Sequence, residues 1–239
     1  MSGLKYYCII FLDMNTPTKI TVSRIVLVVT MLISLLTLDI INSINPYLLY
    51  DLRSTIGNSH VNITGLIICI VFIVAASTDA LDGYLARKNN QVTDLGKFLD
   101  PVADKLLVNS LLIYLCFKHS YLGTNTYIIN FWFVLIMIIR DIVVDSLRFI
   151  AASKKVVIAA NGFGKAKTIA QMITIPLVLL NGWPFSYFDL NLQLPSQLRV
   201  VSFFVYITTA LSVISGVIYV IQNRNVLKDG SKKSNKSSK

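Results

Sequence analysis

Glutamate is absent: all 12 acidic residues of this 239-residue chain are aspartate. That removes the HExxH zinc motif and the EF-hand loop, whose closing ligand is a glutamate. Histidine is nearly absent as well. His60 and His119 sit in polar breaks between apolar runs, so neither is placed as a buried base. Cys8, Cys69 and Cys116 are odd in number and far apart, which fits neither a disulfide framework nor a zinc cluster. Charge is scarce: 14% of residues are charged, where a soluble domain carries about 25%. Apolar residues fill the gap, at 54% of the chain, with a mean hydropathy of +0.66. A soluble monomer of this composition would have to expose large apolar patches, which such proteins rarely do. The composition therefore predicts an integral membrane protein of one domain.

A helix that spans a bilayer needs about 20 predominantly apolar residues. Six runs approach that: Ile20–Ile41, Val61–Ser77, Leu106–Phe117, Tyr127–Val144, Ile169–Leu180 and Val200–Ile221. The third and fifth reach spanning length if each helix extends back into the charged segment before it. None shows the in/out alternation of barrel strands. The expected fold is an all-α integral membrane bundle of six transmembrane helices. Breaks after the first, third and fifth spans hold Arg53, Lys118 and Arg199, whereas the opposite side collects most of the other lysines and Arg87. The positive-inside rule then places both termini in the cytoplasm, for a multi-pass protein of the cell membrane.

The net charge of +10 is mostly this bias. Residues 228–239, KDGSKKSNKSSK, contain no apolar residue and read as a basic disordered tail suited to anionic headgroups. No basic stretch is interleaved with aromatics at stacking distance, so no nucleic-acid partner is expected. The N-terminal YYCIIFL is too short to span, and no small-residue cleavage site follows it.

Five of the twelve aspartates fall between Asp79 and Asp104. Asp79 and Asp82 are spaced i, i+3, with Ala86 four residues on, so a helix puts all three on one face. Gly96, Asp100 and Asp104 are spaced i, i+4, i+8. They share a face if the segment is helical throughout; alternatively Pro101 starts the helix and Asp100 caps it. The short polar stretch 88–93 makes the two helices antiparallel neighbours, with their Asp-bearing ends together. Four converging carboxylates resist ionisation unless cations neutralise them. Hard divalent ions suit such oxygen ligands, and Mg²⁺ usually keeps positions open for phosphate oxygens. Ionisable groups at a membrane boundary are costly, which makes a functional role the default.

The run Asp79-Ala-Leu-Asp82-Gly83-Tyr-Leu-Ala86-Arg87, followed by Gly96, Asp100 and Asp104, resembles the signature of the CDP-alcohol phosphotransferase family in full. Within that family the chain is most similar to the members that make phosphatidylglycerophosphate, and the similarity covers residues 14–227. It runs through Asn15–Arg24, Gly96–Lys105, Arg140-Asp141 with Arg148, and Asn161–Thr168. Residues 1–13 stand outside it as an extension. Thr18 where Asn is usual, Asp141 where Glu is usual, and the lysine tail are departures.

The resemblance implies a six-helix bundle with its active site on the cytoplasmic side, and an enzyme that displaces CMP from a CDP-linked lipid. It implies two metal ions, Mg²⁺ or Mn²⁺, held by Asp79, Asp82, Asp100 and Asp104, with Asp104 also the general base. Thr21, Arg24, Gly83, Ala86, Arg87, Thr93 and Gly96 would hold the CDP-lipid. CDP-diacylglycerol and glycerol 3-phosphate are the implied substrates, with membrane lipid around the protein, and a homodimer is common in the family. A phosphate dianion needs cationic partners, for which Arg140, Arg148, Lys165 and Lys167 are the candidates. Serine or inositol phosphate is the rival acceptor. A divalent-cation transporter is the rival from another class, but it would spread its carboxylates across the membrane depth.

Overall fold

A computed structural model describes residues 16–45, 61–88, 94–117, 129–154, 162–192, 195 and 198–224. The N-terminal extension, the basic tail, Thr93, His60 and His119 lie outside the described residues. Among those described are seven helices and no strand. They are α1 Thr16–Ile44, α2 Ile63–Lys88, α3 Asp94–Tyr114, α4 Phe131–Ser153, α5 Gly162–Leu179, α6 Ser186–Asn191 and α7 Val200–Gln222.

Each of the six apolar runs falls on one of these helices. The charged segments before the third and fifth runs are helical, so α3 begins at Asp94 and α5 at Gly162. The fourth run, Tyr127–Val144, begins ahead of its helix. Asn130 caps α4, its side chain accepting from the Trp132 amide at 3.0 Å, and the helix continues past Val144 to Ser153. Short α6 was not anticipated; a six-residue helix has no resolvable period in sequence. By length and apolarity, Thr18–Ile44 and Val200–Gln222 can cross a membrane, and Ile63–Thr78 is a shorter apolar stretch.

The chain divides into two compact units, Met1–Ile128 with Ile175–Leu194, and Ile129–Thr174 with Pro195–Lys239. In the first, α1 packs on both α2 and α3, which also touch each other. The buried face of α1 is Thr18, Thr21, Arg24, Val28, Met31 and Leu35, at steps of three and four. Its other face exposes Val26, Val29, Ile33, Leu36 and Ile40. On α2 the buried stripe is Thr64, Ile68, Phe72 and Ala75; on α3 it is Ala103, Leu107, Leu111 and Tyr114.

In the second unit α4 packs along α7. The buried residues are unusually polar: Asp141, Lys167, Gln171, Thr174, Ser202, Thr208, Thr209, Ser212 and Ser215. Outward positions are apolar, among them Ile139, Ile142, Phe149, Phe203, Ile207, Ile214 and Val217. The buried polar residues lie among buried apolar ones such as Val134, Met137, Val144, Leu147 and Val205. In water, so much exposed apolar surface around a polar interior would be unfavourable. In hydrocarbon this distribution is the stable one, because polar groups turn inward to find partners and apolar side chains face lipid. The molecule is a helical membrane protein.

The chain leaves α5 through a left-handed turn. Asn181 has φ 53° and Gly182 φ 81°, and the Gly182 amide bonds the Leu177 carbonyl at 2.7 Å. A side chain at position 182 must adopt a backbone conformation that costs roughly 1–2 kcal/mol. Gly182→Val is therefore expected to lower the melting temperature in detergent by roughly 2–8 °C. An unchanged melting temperature would show that the turn relaxes freely.

Candidate active site

Helical register places positions 79, 82, 100 and 104 in line with the buried stripes of α2 and α3. The buried stripe of α2, Ile68, Phe72 and Ala75, continues at steps of four and three to positions 79, 82 and 86. The helix is unbroken to Lys88, so Asp79, Asp82 and Ala86 lie on one line, with Gly83 and Arg87 adjoining it. On α3 the question raised by Pro101 is answered, because it lies inside a helix that runs from Asp94 to Tyr114. Gly96, Asp100 and Asp104 therefore share one face, continued by Leu107 and Leu111 in the buried stripe. Asp104 is half-buried. The side chains of Asp79, Asp82, Gly83, Ala86, Arg87, Gly96 and Asp100 lie outside the described residues, as does all of Thr93.

Thr21 and Arg24 are buried on the packed face of α1, each 2% exposed. Arg24 is among the largest fully enclosed side chains of the protein. A guanidinium so enclosed is costly unless anions or hydrogen-bond acceptors meet it. The face is polar over Thr18, Thr21 and Arg24 and apolar beyond Val28. All three helices of the first unit thus have a stripe that changes from apolar to polar: α1 toward its start, α2 toward its end, α3 toward its start. Only residues 89–93 link α2 to α3, which makes the pair antiparallel and brings their acidic ends together.

The second unit is built around one carboxylate. Lys167 Nζ donates to both oxygens of Asp141, at 2.8 and 2.7 Å. Arg140 Nη1 donates to Asp141 Oδ1 at 3.0 Å, and Nη2 donates to Ser215 Oγ at 2.6 Å. The three charged side chains are at most 13% exposed. Arg140 and Lys167 thus share one carboxylate. A guanidinium has five N–H donors, and these contacts occupy only two of them.

The four cations selected from sequence are not one cluster. Arg140 and Lys167 meet through Asp141. Arg148 is exposed two turns further along α4, its Nε donating to Tyr219 Oη at 3.2 Å and its guanidinium 5.6 Å from the centroid of that ring. Lys165 is exposed on α5. Sequence reading missed the contributions of α7, namely Ser215, Gly216 and Tyr219. The signal was present, since Ser212, Ser215, Gly216 and Tyr219 recur at helical spacing inside an otherwise apolar run.

Comparison with known proteins bears on both units. The family model for CDP-alcohol phosphatidyltransferase matches residues 14–214. The chain belongs to the CDP-alcohol phosphatidyltransferase family. Among its relatives is a CDP-diacylglycerol--glycerol-3-phosphate 3-phosphatidyltransferase from Bacillus subtilis (strain 168), 40% identical over 72% of this chain and 79% of that protein. A protein of the same name from Mycoplasma pneumoniae is 33% identical over 89% of this chain and 88% of its own length. A cardiolipin synthase (CMP-forming) from Oryza sativa subsp. japonica is 35% identical over 63% of this chain and 46% of that protein. The matched residues include the aspartate-bearing segments of α2 and α3 as well as Arg140, Asp141 and Lys167 of the second unit.

Breaking a buried ion pair from one side costs about 3–5 kcal/mol, because the remaining charge is stranded. Asp141→Asn leaves two cations facing each other and should lower the melting temperature in detergent most. Lys167→Met leaves Asp141 with Arg140 and should cost less. Equal melting temperatures for Asp141→Asn and the unaltered protein would mean that water reaches the cluster.

Proposed function

We infer that the protein transfers a phosphatidyl group from CDP-diacylglycerol to glycerol 3-phosphate, releasing CMP and phosphatidylglycerophosphate. The observation that carries this reading is the family match over residues 14–214, joined to relatives named for that reaction at 40% and 33% identity over most of the chain.

The donor set on α2 and α3 is all carboxylate oxygen, which fits a hard divalent ion and does not suit a soft one. In this reading Asp79, Asp82, Asp100 and Asp104 hold two Mg²⁺ or Mn²⁺ ions. Bound there, the ions supply charge neutralisation on the diphosphate as CMP leaves. Asp104 takes the proton from the attacking hydroxyl; a base must lie within hydrogen-bond reach of that proton. Thr21, Arg24, Gly83, Ala86, Arg87, Thr93 and Gly96 bind the CDP-lipid, the small residues leaving room for a ligand to reach the helix backbone. Arg140 and Lys167, which meet at Asp141, bind the acceptor phosphate, while exposed Lys165 and Arg148 guide it inward. The two cations gathered at Asp141 support an anionic acceptor over serine, which needs no such cluster. Six helices span the membrane with both termini and the aspartates on the cytoplasmic side, as the lysine distribution supports.

The test uses purified protein in detergent with labelled CDP-diacylglycerol and, separately, glycerol 3-phosphate, serine and inositol phosphate. Release of CMP is expected with glycerol 3-phosphate alone. It should stop in excess EDTA and return with Mg²⁺ or Mn²⁺. Turnover with serine, or full activity in chelator, would overturn the acceptor or the metal assignment respectively. Asp104→Asn is expected to lower turnover by roughly 10²–10⁴-fold, the usual worth of a general base, with the melting temperature retained. Near-normal turnover would move the base elsewhere.

A further inference from the structure

Arg140 follows a constrained route to its partners. Beyond Cβ the side chain lies against α7, where Gly216 has no side chain. A Cβ added to Gly216 would stand 2.7 Å from Arg140 Cγ, 3.7 Å from Nε and 3.8 Å from Cβ. Carbon atoms pack at about 3.5–4.0 Å, so the first of these contacts cannot be accommodated in place. Cγ lies near the root of the side chain, and it cannot swing aside as a terminal atom would. A shift of Cγ moves the whole side chain beyond it, and with it the guanidinium that meets Asp141 and Ser215.

The space beside the stem gives no alternative seat. It is a groove of about 390 Å³ between α4 and α7, lined by Ile136, Ile139, Val143, Val213 and Val217. A guanidinium pushed there would lose its carboxylate and sit among aliphatic side chains, an expensive place for a charge. Gly164 offers a contrast on the other flank, since a Cβ added there would be 3.8 Å from Arg140 Nη2, an ordinary contact. Of these two glycines, Gly216 alone is required by space.

We propose that Gly216 is a positioning residue for acceptor binding. Its bare Cα lets the Arg140 stem lie on α7, which holds the guanidinium between Asp141 and Ser215 and so sets the affinity for a phosphorylated acceptor. This rests on Arg140 being a phosphate-binding cation.

The experiment is a double-mutant cycle on the full-length enzyme in detergent, with saturation curves for glycerol 3-phosphate and CDP-diacylglycerol and a melting temperature for each variant. Loss of one charge-assisted contact is worth about tenfold or more in affinity. Gly216→Ala should therefore raise the acceptor KM about tenfold, while the KM for CDP-diacylglycerol stays near the unaltered value. In an Arg140→Ala background the same substitution should raise the acceptor KM no further, because the 3.8 Å approach to Cβ is ordinary contact. Non-additivity of this kind is the mark of one residue acting through another.

If Arg140→Ala leaves the acceptor KM unchanged, the reading of the cation cluster falls and the proposal falls with it. If Arg140→Ala raises it and Gly216→Ala does not, only the positioning role is overturned. Additive losses in the double variant, or an equal loss in Gly164→Ala, would also overturn it. Should Gly216→Ala fail to fold, Ser215→Ala decides. It removes one of the two anchors without adding volume, and an unchanged acceptor KM there would refute the proposal.

Discussion

The carboxylate of Asp141 fixes the interior of the second unit. Its two oxygens receive three hydrogen bonds, two from Lys167 and one from Arg140. Those bonds tie α5 to α4, and the free end of the same guanidinium ties α4 to α7 through Ser215. Three helices are thus registered by one anion. In a medium without water, a buried cation that lacks such a partner is costly. Asp141 offsets that cost for both Arg140 and Lys167.

Around this hub the packing follows membrane rules. Lipid tails are as apolar as isoleucine, so the helices gain little from burying apolar area against each other. Close approach and hydrogen bonds replace it. Small residues on α7, Ser212, Ser215 and Gly216, face inward, and the Thr174 and Thr208 hydroxyls bond each other at 2.8 Å. Each such bond contributes only about 0.6 kcal/mol in measured membrane cases. Their value lies in specifying one register among many that an apolar interface would tolerate. An unpolarised α7 could rotate or slide on α4, and Arg140 would lose its seat.

Much of this was legible in the sequence, for reasons that are local. Apolar runs announce membrane helices because a bilayer demands length and uniformity, and all six runs coincide with helices. The aspartates were legible because helical spacing is a one-dimensional signal, as Asp79 to Asp82 and Gly96 to Asp104 show. Pro101 was ambiguous, since its missing amide permits either a start or an interior position. The observed helix carries it in the interior. The partners of Arg140 and Lys167 were harder. In sequence both Asp141 and Asp145 are close enough along the helix to partner Arg140, and only the structure selects Asp141. Lys167 is 26 residues beyond Asp141, and its bidentate bond depends on how α5 meets α4. Ser215 and Gly216, 75 and 76 positions beyond Arg140, show their helical spacing in sequence, but their pairing with Arg140 depends on the packing of α7 on α4. A span reads as lipid-facing until its partner helix is known.

If the cluster receives the acceptor phosphate, as proposed, its charges explain why a carboxylate belongs there. Two cations alone would repel each other and would be disfavoured while no phosphate is present. Adding Asp141 offsets that cost. A dianion arriving there would meet donors already oriented, so it would not need to reorganise the protein around itself. It also finds Arg140 donors that neither Asp141 nor Ser215 occupies. Glutamate in place of Asp141 would extend the carboxylate by one methylene and shift the guanidinium relative to Ser215. The shorter side chain and the bare Cα of Gly216 therefore act on the same variable from opposite sides: the distance Arg140 can reach before it is held.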